Sequence, residues 1–242
     1  MMIELHGCDT PNGHKVAILL AELELAGVGL EHSTTKYNLL EGRHLEADFA
    51  QINPNRRLPA IVDHAPAGGG EPVAVFESGA ILLYLAEKTG RFLPTDTRKR
   101  AQALSWLFWQ MASLGPQHGQ AHHFLRYAPE PPQYAVNRYT KEAYRLFDVL
   151  EGRLSQVDYL AGEYSIADMA VWPWVRASRA IDMDVSQWPA LKRWFDRVGA
   201  REAVKRYGEV PKDHPAQARH MKLSPEQWSV LFGEKMWDAA KG

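Results

Sequence analysis

The hydrophobic periodicity of this 242-residue chain changes character near residue 93. Before that point, short apolar and β-branched runs alternate with segments of helical spacing. Beyond it the spacing is helical, becoming less clear from Pro211 onward. The two periods bury apolar residues against different kinds of neighbour, so the switch calls for two units of different class. In the first part, Ile3–Leu5 reads as a short strand and residues 12–26 as a helix with Val16, Leu19, Leu20 and Leu23 on one face. Residues 30–36, with β-branched Thr34 and Thr35, read as a second strand, and 43–51 as a weaker helix. Ala60–Asp63 and Val73–Phe76 are strands joined through Pro66 and Gly68–Gly70, and Ser78 caps a helix through Lys88. The order β-α-β-α-β-β-α describes an α/β unit with a mixed sheet.

The second part carries helices over 98–120, with Leu104, Leu107, Phe108, Met111 and Leu114, and over 133–154, with Ala143, Leu146, Phe147, Leu150 and Leu154. Ser165-Ile166-Ala167-Asp168 is a capping box with Asp in the usual Glu/Gln place, opening a helix to about Ala177. Pro189 starts another, with Leu191, Trp194, Phe195 and Val198 on one face. This is the pattern of an all-α bundle. Composition marks the same border. All eight tryptophans lie between Trp106 and Trp237, and residues 1–93 carry 7 Lys and Arg against 12 Asp and Glu, while 94–242 carry 21 against 17. The expected domains are 1–93, 94–210 and a C-terminal extension over 211–242, where Trp228, Leu231 and Phe232 suggest a docked apolar segment.

The formal net charge of -1 argues against a nucleic-acid or anionic-membrane partner. No apolar run approaches the roughly 20 residues of a membrane helix, and the start MMIELHG lacks the form of a signal peptide, so a cytoplasmic location is expected. Cys8 is the only cysteine, which excludes an internal disulfide, a CxxC redox motif and a cysteine-rich zinc site. His118, His122 and His123 lie close together without a clear third ligand type, and no metal is expected.

The sharpest chemical signal is the first strand-to-helix turn, Cys8-Asp9-Thr10-Pro11-Asn12-Gly13-His14-Lys15. Pro11 suits the first helical position and Thr10 the N-cap. A helix N-terminus favours an anion and lowers the pKa of a thiol held there. Thr10 is a poor redox residue but a good donor to a thiolate supplied by a ligand, and Asn12 adds an amide. A Thr-Pro pair is also a common structural cap. Two further elements stand beside it. Leu58–Pro59 enters a strand, where a tight turn suits a cis bond and leaves the Leu58 backbone open to an extended peptide. Glu77 and Ser78 stand at another helix start, suited to the ammonium and carboxylate of an amino-acid head group.

With these residues the chain resembles the cytosolic glutathione transferases: a thioredoxin-like N-terminal domain, a Leu-Pro element, a Glu-Ser element and a helical domain with the Ser-x-x-Asp box. TPNGHK at 10–15, NPNRRLPAIVDH at 53–64, FESGAILLYLAEKTG at 76–90, LFWQ at 107–110, LGP at 114–116, GQAHHF at 119–124 and YSIADMAVWPWV at 164–175 are similar to the bacterial nu-class proteins, which are glutathione-dependent disulfide-bond oxidoreductases. The likeness spans about residues 2–205.

The resemblance implies glutathione as bound co-substrate, in reduced or disulfide form. It implies that Thr10 and Asn12 contact its sulfur and are the catalytic pair, that the Leu58–Pro59 element pairs with the cysteinyl unit, and that Glu77 and Ser78 anchor the γ-glutamyl unit. Arg57, Arg138 and His44 would complete the glutathione contacts, His44 standing where relatives carry Gln. Cys8 stands where close relatives have another residue and is read as a packed bystander. The resemblance further implies a homodimer acting on a small-molecule disulfide. A conventional glutathione transferase or hydroperoxide peroxidase needs the same thiolate and stays open as an alternative, as does a non-catalytic glutathione-fold binding module.

Overall fold

A computed structural model describes residues 2–208 and 221–241. The chain divides into two compact units, Met1–Thr89 joined by Leu223–Gly242, and Gly90–Lys222. The border expected between residues 210 and 211 lies outside the described residues.

In the first unit, strands β1 (Met2–Gly7), β2 (Glu31–Lys36), β3 (Ala60–Asp63) and β4 (Val73–Phe76) form one mixed sheet in the order β2-β1-β3-β4. β1 runs parallel to β2 and antiparallel to β3, which runs antiparallel to β4. The register sets Leu5 opposite Ile61 and Ile61 opposite Val75. The parallel β1–β2 pair is joined by helix α1 (Pro11–Leu25), the crossover that parallel strands require. Ile3 and Leu5 point to one face of the sheet by the two-residue period, and both are buried. α1 packs on helix α3 (Ser78–Thr89). Buried Val16, Leu19, Leu20 and Leu23 of α1 and Ile81, Leu82 and Leu85 of α3 supply most of this unit's helical core. On the other face of β1, His6 meets the rings of Tyr37 and Phe49. Phe49 belongs to the single-turn helix α2 (Ala47–Ala50), to which, with a 3₁₀ turn at Arg43–Leu45, the helix expected over 43–51 shrinks. The thioredoxin-like reading of this unit holds.

The helical unit holds α4 (Thr97–Trp109), α5 (Gly115–His122), α6 (Gln133–Leu154), α7 (Ile166–Ala177), α8 (Pro189–Gly199) and α9 (Glu202–Gly208). The single helix expected over 98–120 is interrupted by a π-helical turn at Gln110–Leu114 and followed by a second at His123–Tyr127. Pro116 has no N–H to return to the turn before it, and the backbone widens just ahead of that residue. Phe108, expected on the apolar face, is 59% exposed instead. The Ser165 capping box forms as expected, and Asp168 does more than cap. Fully buried, it accepts from the amides of Ser165 and Leu160 and from Trp194 Nε1, tying α7 to α8. Glu151 of α6 accepts from the amides of Ala190 and Leu191 at 3.1 and 2.8 Å, capping α8 from a neighbouring helix. Among the described residues no helix is long and apolar enough to cross a membrane.

The C-terminal helices α10 (Pro225–Phe232) and α11 (Glu234–Ala239) belong to the first unit. α10 packs on the 3₁₀ turn Leu39–Glu41 and α11 on the turn Arg43–Leu45. The docked residue is Val230, 3% exposed and close against Gly42, whereas Trp228, Leu231 and Phe232 are only half-buried. Gly42 has φ 76°, a left-handed turn in which a Cβ would also meet Val230 at 3.3 Å.

Candidate functional site

Three chain segments of the first unit carry the expected site residues other than His44 and Arg138: the turn after β1, the turn before β3 and the start of α3. In the first, Thr10 is the N-cap of α1, extended at φ -131° and ψ 161°. Its hydroxyl oxygen accepts from the Gly13 amide at 3.2 Å, and Pro11 fills the first helical position. No acidic side chain lies in the first turn to compete for the positive helix end. Asn12 follows on that turn, half-buried. Asp9 precedes it, but its carboxylate is held by Lys36 at 2.6 Å and faces His14 at 3.7 Å. Burial pushes the Asp9 pKa up, but the Lys36 ammonium, with His14 adding to it, outweighs burial and holds the carboxyl below its ordinary value.

Gly13 makes the close approach feasible. A Cβ there would fall 2.1 Å from the Cys8 carbonyl oxygen, so only glycine lets the first turn of α1 seat against residues 8–10. Cys8 is buried, with Sγ 3.4 Å from Thr10 Oγ1. Burial pushes its thiol pKa up, the Thr10 contact opposing and Asp9 adding to the rise. Burial thus favours the protonated thiol at Cys8 over the thiolate.

The Leu58–Pro59 peptide bond is cis, as the sequence suggested. Buried Asn53 builds the turn, donating from Nδ2 to the Arg57 carbonyl at 2.6 Å and accepting from the Asn55 amide at 2.9 Å. β3 begins two residues after Leu58, and Leu58 makes no backbone hydrogen bond to the described residues. Arg57 is exposed, and its Nη2 donates to Met236 Sδ of α11 at 2.7 Å. His44 is 1% exposed with Nδ1 unpartnered among the described residues. Burial, then the Arg57 charge, lowers its pKa and keeps it neutral.

At the start of α3, Glu77 and not Ser78 is the capping residue, because its carbonyl accepts from the Ile81 amide at 2.9 Å. Glu77 is exposed and left-handed, with φ 69°. A non-glycine residue in that region costs on the order of 1 kcal/mol and often marks a functional position. Ser78 becomes the first helical residue and is buried at 6% exposure. Lys15 of α1, 1% exposed, reaches it from below and donates from Nζ to Ser78 Oγ at 3.3 Å.

Lys15, Gly13, Asn53 and Met236 each contact an expected site residue, and motif reading passed them over. The signal for Lys15 was present: a lysine one turn before Leu19 in an otherwise apolar helix face. Arg138 stands in the other unit, on α6, where Nη1 lies 3.6 Å from Glu142 Oε2. The three histidines also lie there. His118 is fully buried and stacked on Phe147, and burial brings its pKa to about 4. His122 packs edge-on to Trp174 with Nδ1 3.3 Å from Arg126 Nη1. Among the described residues no group of three or more His, Cys, Asp or Glu side chains is placed to hold a metal ion.

The family model for the glutathione S-transferase N-terminal domain matches residues 2–87, and that for the C-terminal domain matches residues 107–202. Disulfide-bond oxidoreductase YfcG of Escherichia coli K12 is 50% identical over 204 residues, covering 84% of this chain and 93% of that protein. Disulfide-bond oxidoreductase YghU of the same strain is 44% identical over 213 residues, covering 84% and 73%. Among solved structures, a glutathione transferase family member from Pseudomonas fluorescens with two glutathione bound superposes with TM-score 0.78 at 35% identity, covering 86% of this chain and 93% of that one. A Pseudomonas putida glutathione transferase with one glutathione disulfide per subunit matches with TM-score 0.78 at 35% identity, covering 87% and 92%.

Proposed function

Because this chain belongs to the glutathione S-transferase family, we propose that it is a glutathione-dependent disulfide-bond reductase acting on a small disulfide. The observation that carries the reading is the Thr10 hydroxyl, capping α1 at a helix end free of first-turn acids. A bound glutathione supplies the nucleophile: its thiolate displaces one sulfur of the substrate disulfide as a thiolate, and a second glutathione resolves the mixed disulfide to glutathione disulfide and the other thiol.

The protein's part is electrostatic and positional. Thr10 donates its hydroxyl proton to the ligand sulfur while its oxygen keeps the Gly13 amide bond, and Asn12 adds an amide on the same turn. Together with the helix field they lower the thiol pKa and raise the thiolate fraction. The Leu58 amide and carbonyl pair with the cysteinyl backbone as a sheet edge pairs with a strand. Ser78 and the first amides of α3 take the γ-glutamyl carboxylate, and Glu77 takes the ammonium. Arg57 faces the glycyl carboxylate, and buried His44 shapes that end. No protein cysteine enters the reaction. A cytoplasmic setting fits, since the glutathione pool there is reducing. A homodimer is part of the reading. Val73 and Phe76 in the first unit and Phe108 and Tyr134 in the helical unit are exposed large apolar side chains suited to a subunit contact.

The test is a hydroxyethyl-disulfide assay coupled through NADPH and glutathione reductase. Turnover is expected in the wild type and in Cys8→Ser, and is expected to be lost in the Thr10→Ala/Asn12→Ala double variant. No turnover in the wild type overturns the reading. Activity with an aromatic halide or an organic hydroperoxide far above disulfide turnover replaces it with the transferase or peroxidase.

A further inference from the structure

A buried lysine is expensive. Taking an ammonium out of water costs several kcal/mol unless a partner compensates, and Leu or Met would fill the same space on α1 at no such cost. Lys15 is nevertheless among the largest fully buried side chains, and its ammonium ends beneath the first turn of α3, 3.3 Å from Ser78 Oγ. The amides at the start of this 12-residue helix point to the same corner, where they carry the positive end of the helix field. Whenever Lys15 is protonated, two positive features share one small volume, an arrangement that an anion at this corner stabilises.

Glu77 precedes α3, and its field raises the Lys15 pKa against the larger effect of burial, which brings it down to about 7. The Glu77 side chain is exposed. Elsewhere on α3, Lys88 and Tyr84 converge on Asp63, and on α1 His14 faces Asp9.

We propose that Lys15 is a positioning residue for a carboxylate bound at the start of α3: it orients the Ser78 hydroxyl, supplies the positive charge beneath it and takes up a proton as the carboxylate arrives. This rests on the glutathione reading above and names the γ-glutamyl carboxylate as the anion. The hydrogen bond from Nζ occupies a lone pair of Ser78 Oγ and turns the hydroxyl proton away from Lys15. A carboxylate accepting that proton brings a negative charge close to Nζ, and the ammonium form becomes the favoured one. Binding and protonation are then linked.

Isothermal titration calorimetry with S-methylglutathione tests this, because that ligand has no thiol to ionise. Titrations at pH 8 in buffers of different ionisation heat count the protons exchanged. The wild type is expected to take up a substantial fraction of a proton. Lys15→Met, with Lys15→Gln as a second variant, is expected to take up none and to bind about 10- to 100-fold more weakly at pH 6.5, the loss of one hydrogen-bonded charge. Titration of the ligand's own amino group is common to all three proteins and cancels. Equal proton uptake and equal affinity in wild type and variants overturn the inference while leaving the glutathione reading intact. Absence of S-methylglutathione binding by the wild type overturns both.

Discussion

Cys8 Sγ lies 3.4 Å from Thr10 Oγ1, so this chain's only thiol touches the hydroxyl proposed to hold the ligand's sulfur. The Thr10 oxygen also accepts from the Gly13 amide. Burial raises the Cys8 pKa and favours the protonated thiol, so in this contact either group can donate to the other. Thr10→Ala is expected to lower kcat/KM for disulfide reduction by about 10- to 100-fold, the worth of a hydrogen bond to a charged group. Cys8→Ser is expected to stay within a few-fold of wild type. Steady-state kinetics on both variants decide it, and a collapse in Cys8→Ser would restore the cysteine as nucleophile.

Gly13→Ala sets a methyl group against the Cys8 carbonyl oxygen, where the space allows 2.1 Å. Backbone on both sides must part. Overpacking of this kind costs about 1–3 kcal/mol. A drop in Tm of several degrees is expected, together with weaker glutathione binding, because α1 draws away from residues 8–10. An unchanged melt and unchanged affinity would show that the turn relaxes freely.

The buried Lys15 sets a pH dependence of stability in the absence of ligand. Its folded pKa of about 7 lies below the ordinary value of about 10.4 in an unfolded chain. Between those values the unfolded chain holds a proton that the folded chain lacks, so this residue's contribution to stability rises with pH from about 7 to about 10 and is lost as pH falls through 7. Lys15→Met removes the linkage. The variant is expected to melt above wild type at pH 6.5, with the gap shrinking at pH 9. A gap independent of pH would place the Lys15 proton elsewhere.

Val230→Asp puts a carboxylate where the docked valine meets Gly42. An unpaired buried charge costs more than two short helices recover by packing, so local release is expected rather than global unfolding. Limited trypsin digestion is the measure: cleavage near Lys235 and Lys241 is expected to speed severalfold while the sheet stays protected. Release of α11 also removes Met236 from Arg57, so glutathione affinity is expected to change in this variant.

Much of the architecture is visible in local pattern. β3, β4, α6 and α8 start at the residues their periodicity and cap signals mark, and Ser165–Asp168 forms the box its spacing describes. These features depend on neighbours within one or two turns. The departures come from backbone conformation and packing that hydrophobic spacing does not report. The helix through residues 98–120 looks uniform in hydrophobic spacing, but it carries a π-helical turn ahead of Pro116. Ser78 reads as a cap because Ser caps well, yet the strand arriving at Phe76 delivers Glu77 in a left-handed conformation, and the cap shifts back by one residue. In the tail, Trp228 and Phe232 are the louder hydrophobic signals, but Val230 is the side chain that fits against Gly42.

The sequence alone determined an α/β part followed by a helical part, the element order of the first, and three short segments with side chains suited to a thiolate, a peptide backbone and an amino-acid head group. Those properties reside in periodicity, caps and side-chain type, which are local. Tertiary structure decided what lies behind each segment. It placed an ammonium from α1 under Ser78, a carbonyl in the space Gly13 leaves open, a thiol against Thr10 and a thioether from residue 236 against Arg57. The Lys15–Ser78 and Arg57–Met236 pairings join residues 63 and 179 positions apart, and only packing brings such groups within a few ångströms, whereas the contacts of Cys8 with Thr10 and Gly13 arise inside one tight turn. The lysine that looked like an ordinary charge on a helix became, once buried, a group whose proton depends on what binds above it.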